Sequence, residues 1–192
     1  RTGIKTGASW FMFRNIPRGT SWFQTLGFTA MAVFGLQAIT GIVLAMYYKP
    51  DPATAYDSIA HITNDVTWGW LVRGMHRWGA SVFIILMFLH MGRVFLFGAY
   101  KYPRELNWLI GVGLLVMGIM AGFTGYSLPD DLLSGVGLRI AYSIAQSIPF
   151  AGNWLANMFF GGEFPGTALL PRLLTLHIFV IPLAIAGMMS AH

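Results

Sequence analysis

The chain has 192 residues, 56% of them hydrophobic and only 10% charged, with a net charge of +5. A mean hydropathy of +0.62 with long apolar stretches excludes a soluble domain with a large core and points to an all-α integral membrane protein. The absence of cysteine excludes disulfides, thiolate-bound iron–sulfur clusters and thioether-attached haem.

Residues 1–20 carry Arg1, Lys5, Arg14 and Arg18 around Trp10, Phe11 and Phe13, with no acid. This predicts an amphipathic segment lying on an anionic membrane face. The rest of the chain, 21–192, reads as one domain of four transmembrane helices. The first span covers 21–48 and ends in Tyr47 and Tyr48. A polar loop follows at 49–69, with Pro50, Pro52, Asp51, Asp57 and Asp65; His61 lies here and is expected to be an ordinary surface histidine.

The second span, 70–98, organises the chain. No charge interrupts it from Trp78 to Met91, enough to cross a hydrocarbon core of about 30 Å. His76 and His90 lie within it, 14 residues apart. That spacing keeps them within about 40° of one helix face and about 21 Å apart along the axis. Intramembrane ionisable groups are costly and normally face a bundle interior, and imidazole is a common haem ligand.

A short basic loop with Lys101 and Arg104 leads to the third span, 107–128, which stops at Pro129-Asp130-Asp131. Residues 131–166 are too interrupted to span; they predict one or two short interfacial helices ending near Gly161-Gly162. The fourth span begins after Pro171 and carries His177 and His192, 15 residues apart. Four of the five histidines thus form two pairs of nearly equal spacing, the pattern of two bis-histidine haems stacked across a membrane.

Lysine and arginine bias sets orientation. The side holding the N-terminus, Arg93 and the 100–106 loop has seven basic residues and one acid, against five basic residues and six acids on the other. The N-terminus is therefore expected in the cytoplasm, and spans two and four run the same way, from outside to inside. His76 then shares a depth with His177, and His90 with His192.

Gly27 and Gly41 in the first span and Gly111 and Gly125 in the third repeat the 14-residue interval. On antiparallel helices, Gly41 and Gly125 reach the outer pair and Gly27 and Gly111 the inner pair, where a missing side chain gives a flat cofactor room. Arg73 sits three residues before His76 and Arg93 three after His90, one turn nearer each surface, with Arg172 five before His177. These are candidate partners for haem propionates, although arginines at helix ends also snorkel without a ligand.

TGIVLAMYY, RGMHRWGAS, HMGR, YPRE, GYSLP, IPFAGNWLANMFFGGEFPG and PRLLTLH occur in this order. Together they resemble the N-terminal, four-helix half of cytochrome b, the membrane subunit of bc-type quinol:cytochrome c oxidoreductases, from about residue 21 onward. Asp130 and Asp131 stand where the mitochondrial pattern has tryptophan and glycine. GYSLPDD with DLLSG and GLRI resembles the branch of high-GC Gram-positive bacteria, which implies menaquinol as donor. The 15-residue interval of the last span is similar to chloroplast and bacterial branches rather than the mitochondrial 14.

The resemblance implies two non-covalent b-type haems and a subunit of a quinol:cytochrome c oxidoreductase that acts as a translocase. Quinol is oxidised at the outer face beside residues 125–145; one electron leaves to a Rieske iron–sulfur protein and the other crosses to quinone at the cytoplasmic face. Tyr126, Leu133 and Gly137 occupy positions that line the outer quinol pocket in the family. Implied partners are a c-type cytochrome, a second copy in a homodimeric complex, membrane lipid and no nucleic acid, in a bacterial cytoplasmic membrane. The Pro-Glu-Trp-Tyr motif of the C-terminal half does not occur, so that half is expected as a missing stretch or a separate subunit. Arg1 at the start likewise suggests a leading segment. The alternatives are a stand-alone dihaem reductase or anchor subunit of another quinone-linked enzyme, against which the interfacial stretch argues, and a haem-free transporter or assembly subunit using histidines as proton or metal sites.

Overall fold

The computed structural model describes residues 21–162, 164 and 166–192; the N-terminal segment 1–20 and its expected amphipathic character lie outside these. All regular structure among the described residues is helical. Ser21 opens the first span with a capping box, its backbone N–H donating to the Gln24 side chain at 2.6 Å, ahead of a 3-10 turn at Trp22–Thr25. The span continues as α1, Leu26–Ala45.

The loop expected at 49–69 contains a helix, α2, at Ala55–Asn64. Pro50 and Pro52 precede it rather than interrupt it. Ala55, Ser58 and Ile62 are buried at helical spacing, and Asp57 in the first turn complements the helix dipole. His61 bonds Asp65 at 2.9 Å on the exposed side, an ordinary surface pairing.

The second span is α3, Gly69–Leu96, and the third is α4, Glu105–Ser127. α4 starts two residues earlier than expected because Pro103 ends the loop and Glu105 suits a first turn. The stretch after Pro129 folds as two short helices, α5 at Leu132–Gln146 and α6 at Gly152–Phe160. Asp131 is the N-cap of α5, accepting from the Ser134 N–H at 2.8 Å. Gly161 closes α6 with φ +84°, a left-handed conformation that favours glycine.

The fourth span starts at Leu169, not after Pro171. The proline falls in the first turn, where no intrahelical N–H is required. It runs as α7, Leu169–Thr175, a π-helical turn at Leu176–Val180, and α8, Ile181–Ala191. The π turn places His177 in a widened stretch of helix.

Each of the four long helices is apolar enough to cross a membrane. Ile39, Ile42, Phe88 and Leu183 face outward, where only an apolar medium suits them. Inside, Leu114, Ile181 and Ile185 form a core with Phe34 and Met87 midway along the bundle. Leu138 and Phe160 join Leu169 and Leu173, so the α5–α6 hairpin is fastened to the start of the fourth span.

Candidate functional site

The four histidines of the long helices meet as two pairs. The rings of His76 and His177 have centroids 6.1 Å apart with planes at 77°; those of His90 and His192 are 6.2 Å apart at 78°. Two imidazole nitrogens about 2 Å either side of one metal put the ring centroids about 6 Å apart, so each pair has the separation that one metal held between the two rings would need. No cluster of three or more His, Cys, Asp or Glu fit to hold a metal occurs among the described residues. Of those residue types, a metal between the rings would therefore find only the two imidazoles.

Three of the four rings have Nδ1 engaged. His177 Nδ1–H donates to the Ala121 carbonyl at 3.0 Å, and His192 Nδ1–H to the Asn107 carbonyl at 3.1 Å. The Thr40 hydroxyl donates to the Leu36 carbonyl at 2.7 Å, which leaves its oxygen to accept from His76 Nδ1–H at 2.9 Å. Thr124 stands in the same relation to His177, at 3.2 Å. Such bonds fix the tautomer and leave Nε2 as the free nitrogen, the usual arrangement behind a metal-bound histidine.

The glycines match these rings one to one. A Cβ on Gly41 would lie 3.1 Å from His76 Cε1, and one on Gly27 would lie 3.1 Å from His90 Cε1. For Gly111 the neighbour is His192 Cε1 at 3.0 Å, and for Gly125 it is His177 Cε1 at 2.5 Å. Depths expected from register alone are therefore found. What each glycine borders directly is an imidazole edge. Near the second pair, a cavity of about 250 Å³ is lined by Gly27, His90, Arg93, Gly111 and His192.

The arginines have distinct surroundings. Arg93 lines that cavity, its guanidinium 5.5 Å from the Phe97 ring centroid. Its Nε is buried with no acceptor among the described residues, a donor that an acidic group in the cavity would satisfy. Arg73 donates to the Thr63 hydroxyl of α2 at 3.2 Å. Arg172 donates to the Asn157 and Met158 carbonyls, at 2.5 and 2.9 Å. It thus caps the end of α6, a structural task the sequence did not suggest.

Tyr126 and Gly137 are brought together: a Cβ on Gly137 would lie 3.2 Å from Tyr126 Cε1. Leu133, one turn before Gly137 on the same helix face, is exposed.

Sequence reasoning missed Thr40 and Thr124. The signal was available, since Thr-Gly occurs in both glycine-bearing spans as Thr40-Gly41 and Thr124-Gly125. It also missed Gln37, whose buried Nε2 has no partner among the described residues and abuts the space left by Gly79.

A family model described as cytochrome b/b6/petB matches residues 12–192. The chain is 41% identical over 190 residues to the cytochrome bc1 complex cytochrome b subunit of Corynebacterium efficiens, covering 90% of this chain and 35% of that protein. It is also 41% identical over 177 residues to cytochrome b6 of Synechococcus elongatus, covering 92% of this chain and 82% of that one. A solved chain of a hyperthermophilic respiratory Complex III superposes with a TM-score of 0.87 at 27% identity, over all of this chain and 52% of its own. The chain thus spans about a third of the corynebacterial subunit and about half of the Complex III chain. Four apolar helices and these relatives make it a multi-pass membrane protein, of a kind that binds b-type haem. The chain belongs to the cytochrome b/b6 family.

Proposed function

We propose that this chain is the dihaem part of cytochrome b in a respiratory bc-type complex, which oxidises quinol at the outer membrane face and reduces quinone at the cytoplasmic face. The observation that carries the reading is the pair of equal imidazole separations, 6.1 and 6.2 Å, on parallel helices. Haem bound at each pair supplies reversible one-electron chemistry inside a low-dielectric bundle.

The chain's residues hold, orient and screen these groups. His76 and His177 would ligate the outer haem, His90 and His192 the inner one. The hydroxyls of Thr40 and Thr124 and the carbonyls of Ala121 and Asn107 would hold three of the four rings, those of His76, His177 and His192, in the ligating tautomer. Gly27, Gly41, Gly111 and Gly125 let neighbouring backbones close around them. Arg93 would pair with a haem carboxylate at the inner site and Arg73 at the outer; Arg172 could serve there only by leaving the α6 carbonyls it caps. About 21 Å of helix axis separates the two levels, one toward each surface.

Menaquinol is the proposed donor, supported by the GYSLPDD pattern and by likeness to a corynebacterial subunit. A Rieske iron–sulfur protein, a c-type cytochrome and the C-terminal half of cytochrome b complete the proposed assembly, a homodimer in a bacterial cytoplasmic membrane with this chain's N-terminus inside. Pyridine haemochrome analysis of the pure protein should return two haems per chain and no covalent fraction. One haem, or any covalently held haem, would overturn the assignment.

Tyr126, Leu133 and Gly137 are proposed to line the quinol pocket beneath the α5–α6 hairpin. Gly137→Val would press its side chain against the Tyr126 ring. Quinol oxidation in the intact complex should fall about tenfold or more, as displaced reactants do, with both haems still bound and chemically reducible. Gly135→Ala serves for comparison, since a Cβ there meets nothing within 4 Å. Quinol turnover of Gly137→Val at the parent rate would remove the pocket from this segment.

A further inference from the structure

The two histidine-bearing helices bring their rings to one geometry from unequal intervals. His76 and His90 are 14 residues apart, His177 and His192 are 15. In an uninterrupted α-helix one residue adds about 100° and 1.5 Å, which would swing His192 well away from His90. Yet the ring separations of the two pairs differ by only a tenth of an ångström and their interplanar angles by a degree.

The extra residue has a visible location. Across the turn at Leu176–Val180 the helix widens, and the Ile181 N–H bonds the Leu176 carbonyl, five residues back. A single π turn takes in one residue more than an α turn while the helix on either side keeps its regular geometry. Fifteen residues containing one such turn therefore return to the phase of fourteen without it. Pro182 stands two residues past the turn, after Ile181. In a regular helix its ring would press on the carbonyl of Ile178, four residues back, and a wide turn at this point relieves that contact.

We infer that the π turn at Leu176–Val180 is a register corrector. It sets His177 opposite His76 while His192 meets His90, and the residue it absorbs is dispensable. The inference rests on the proposal that both pairs ligate haem. Residues 178–180 are thus positioning residues, acting through the histidines on either side.

The test is deletion of one residue in the intact complex. Phe179 is 60% exposed on the outward face, so it lies outside the core of this four-helix bundle. Deleting Phe179 should close the π turn to an α turn and leave 14 residues between the histidines. Two haems per chain should remain, and the low-spin electron paramagnetic resonance signature, which reports the angle between axial imidazole planes, should be unchanged for both. Deleting Ile85, equally outward at 57% exposure but in a helix with no wide turn to close, should lose at least one haem.

Because Pro182 would then stand in a regular helix, the deletion is also made together with Pro182→Ala. Haem loss from that double variant, with Pro182→Ala alone retaining two haems, would overturn the inference. So would an Ile85 deletion that keeps both haems with unchanged signatures. Failure of the underlying haem assignment would show separately, as fewer than two haems in the parent protein.

Discussion

Replacing His76 by leucine is expected to leave one haem per chain instead of two, with the loss confined to a single spectral component. Under the proposed reading, removal of this imidazole would leave the site with His177 alone, since no further His, Cys, Asp or Glu joins the pair among the described residues. The second site should be spared. It lies about 21 Å along the helix axis, and a packed layer of Leu114, Ile181 and Ile185 sits between the two levels. Reduced-minus-oxidised spectra and haem content of the variant check this. Disappearance of both components would mean that the levels are not independent.

Gly125→Leu is expected to weaken haem binding at the His76/His177 site by roughly five- to 160-fold, the consequence of overpacking worth about 1–3 kcal/mol, and so to lower its haem occupancy. Among the four paired glycines it stands closest to its ring, with 2.5 Å between the position of a Cβ and His177 Cε1. The ring cannot swing aside cheaply, because its Nδ1–H is bonded to the Ala121 carbonyl one turn earlier on the same α4 helix. Gly122→Leu is the matched comparison, since a Cβ there meets nothing within 4 Å. Gly118 is a poorer one: a Cβ there would lie 2.8 Å from Met87 Sδ. Equal haem loss from Gly125→Leu and Gly122→Leu would assign both glycines to ordinary helix packing.

The parts of this arrangement that follow from periodicity were legible in the residues themselves. Fourteen-residue intervals in α1, α3 and α4 put like residues at like depths, and counting spans made the two histidine helices parallel. Ring pairing and glycine depth needed nothing more. What escaped depended on local backbone detail. Helix α2 was hidden because Pro50, Pro52 and three acids resemble loop composition, while its buried face is only Ala55, Ser58 and Ile62. The π turn leaves just two marks in the sequence, the fifteenth residue and Pro182, and neither specifies a wide turn. Thr40 and Thr124 were overlooked because a hydroxyl bonded to its own helix is indistinguishable in sequence from one that also receives an imidazole N–H. Arg172 was legible as a charge but not as the cap of α6, since that requires knowing how the hairpin folds back.

The pairing of glycines with histidines also reveals a symmetry. Gly27, Thr40 and Gly41 on α1 face His90 and His76 on α3. Gly111, Thr124 and Gly125 on α4 face His192 and His177 on the fourth span. Each half of the bundle is thus an antiparallel helix pair with the same pattern of glycine, threonine and histidine, as in membrane proteins built from parallel repeats. Each ring pair draws one imidazole from either half. The bundle is a two-helix motif repeated on a single chain, and under the proposed reading neither repeat alone can close a site.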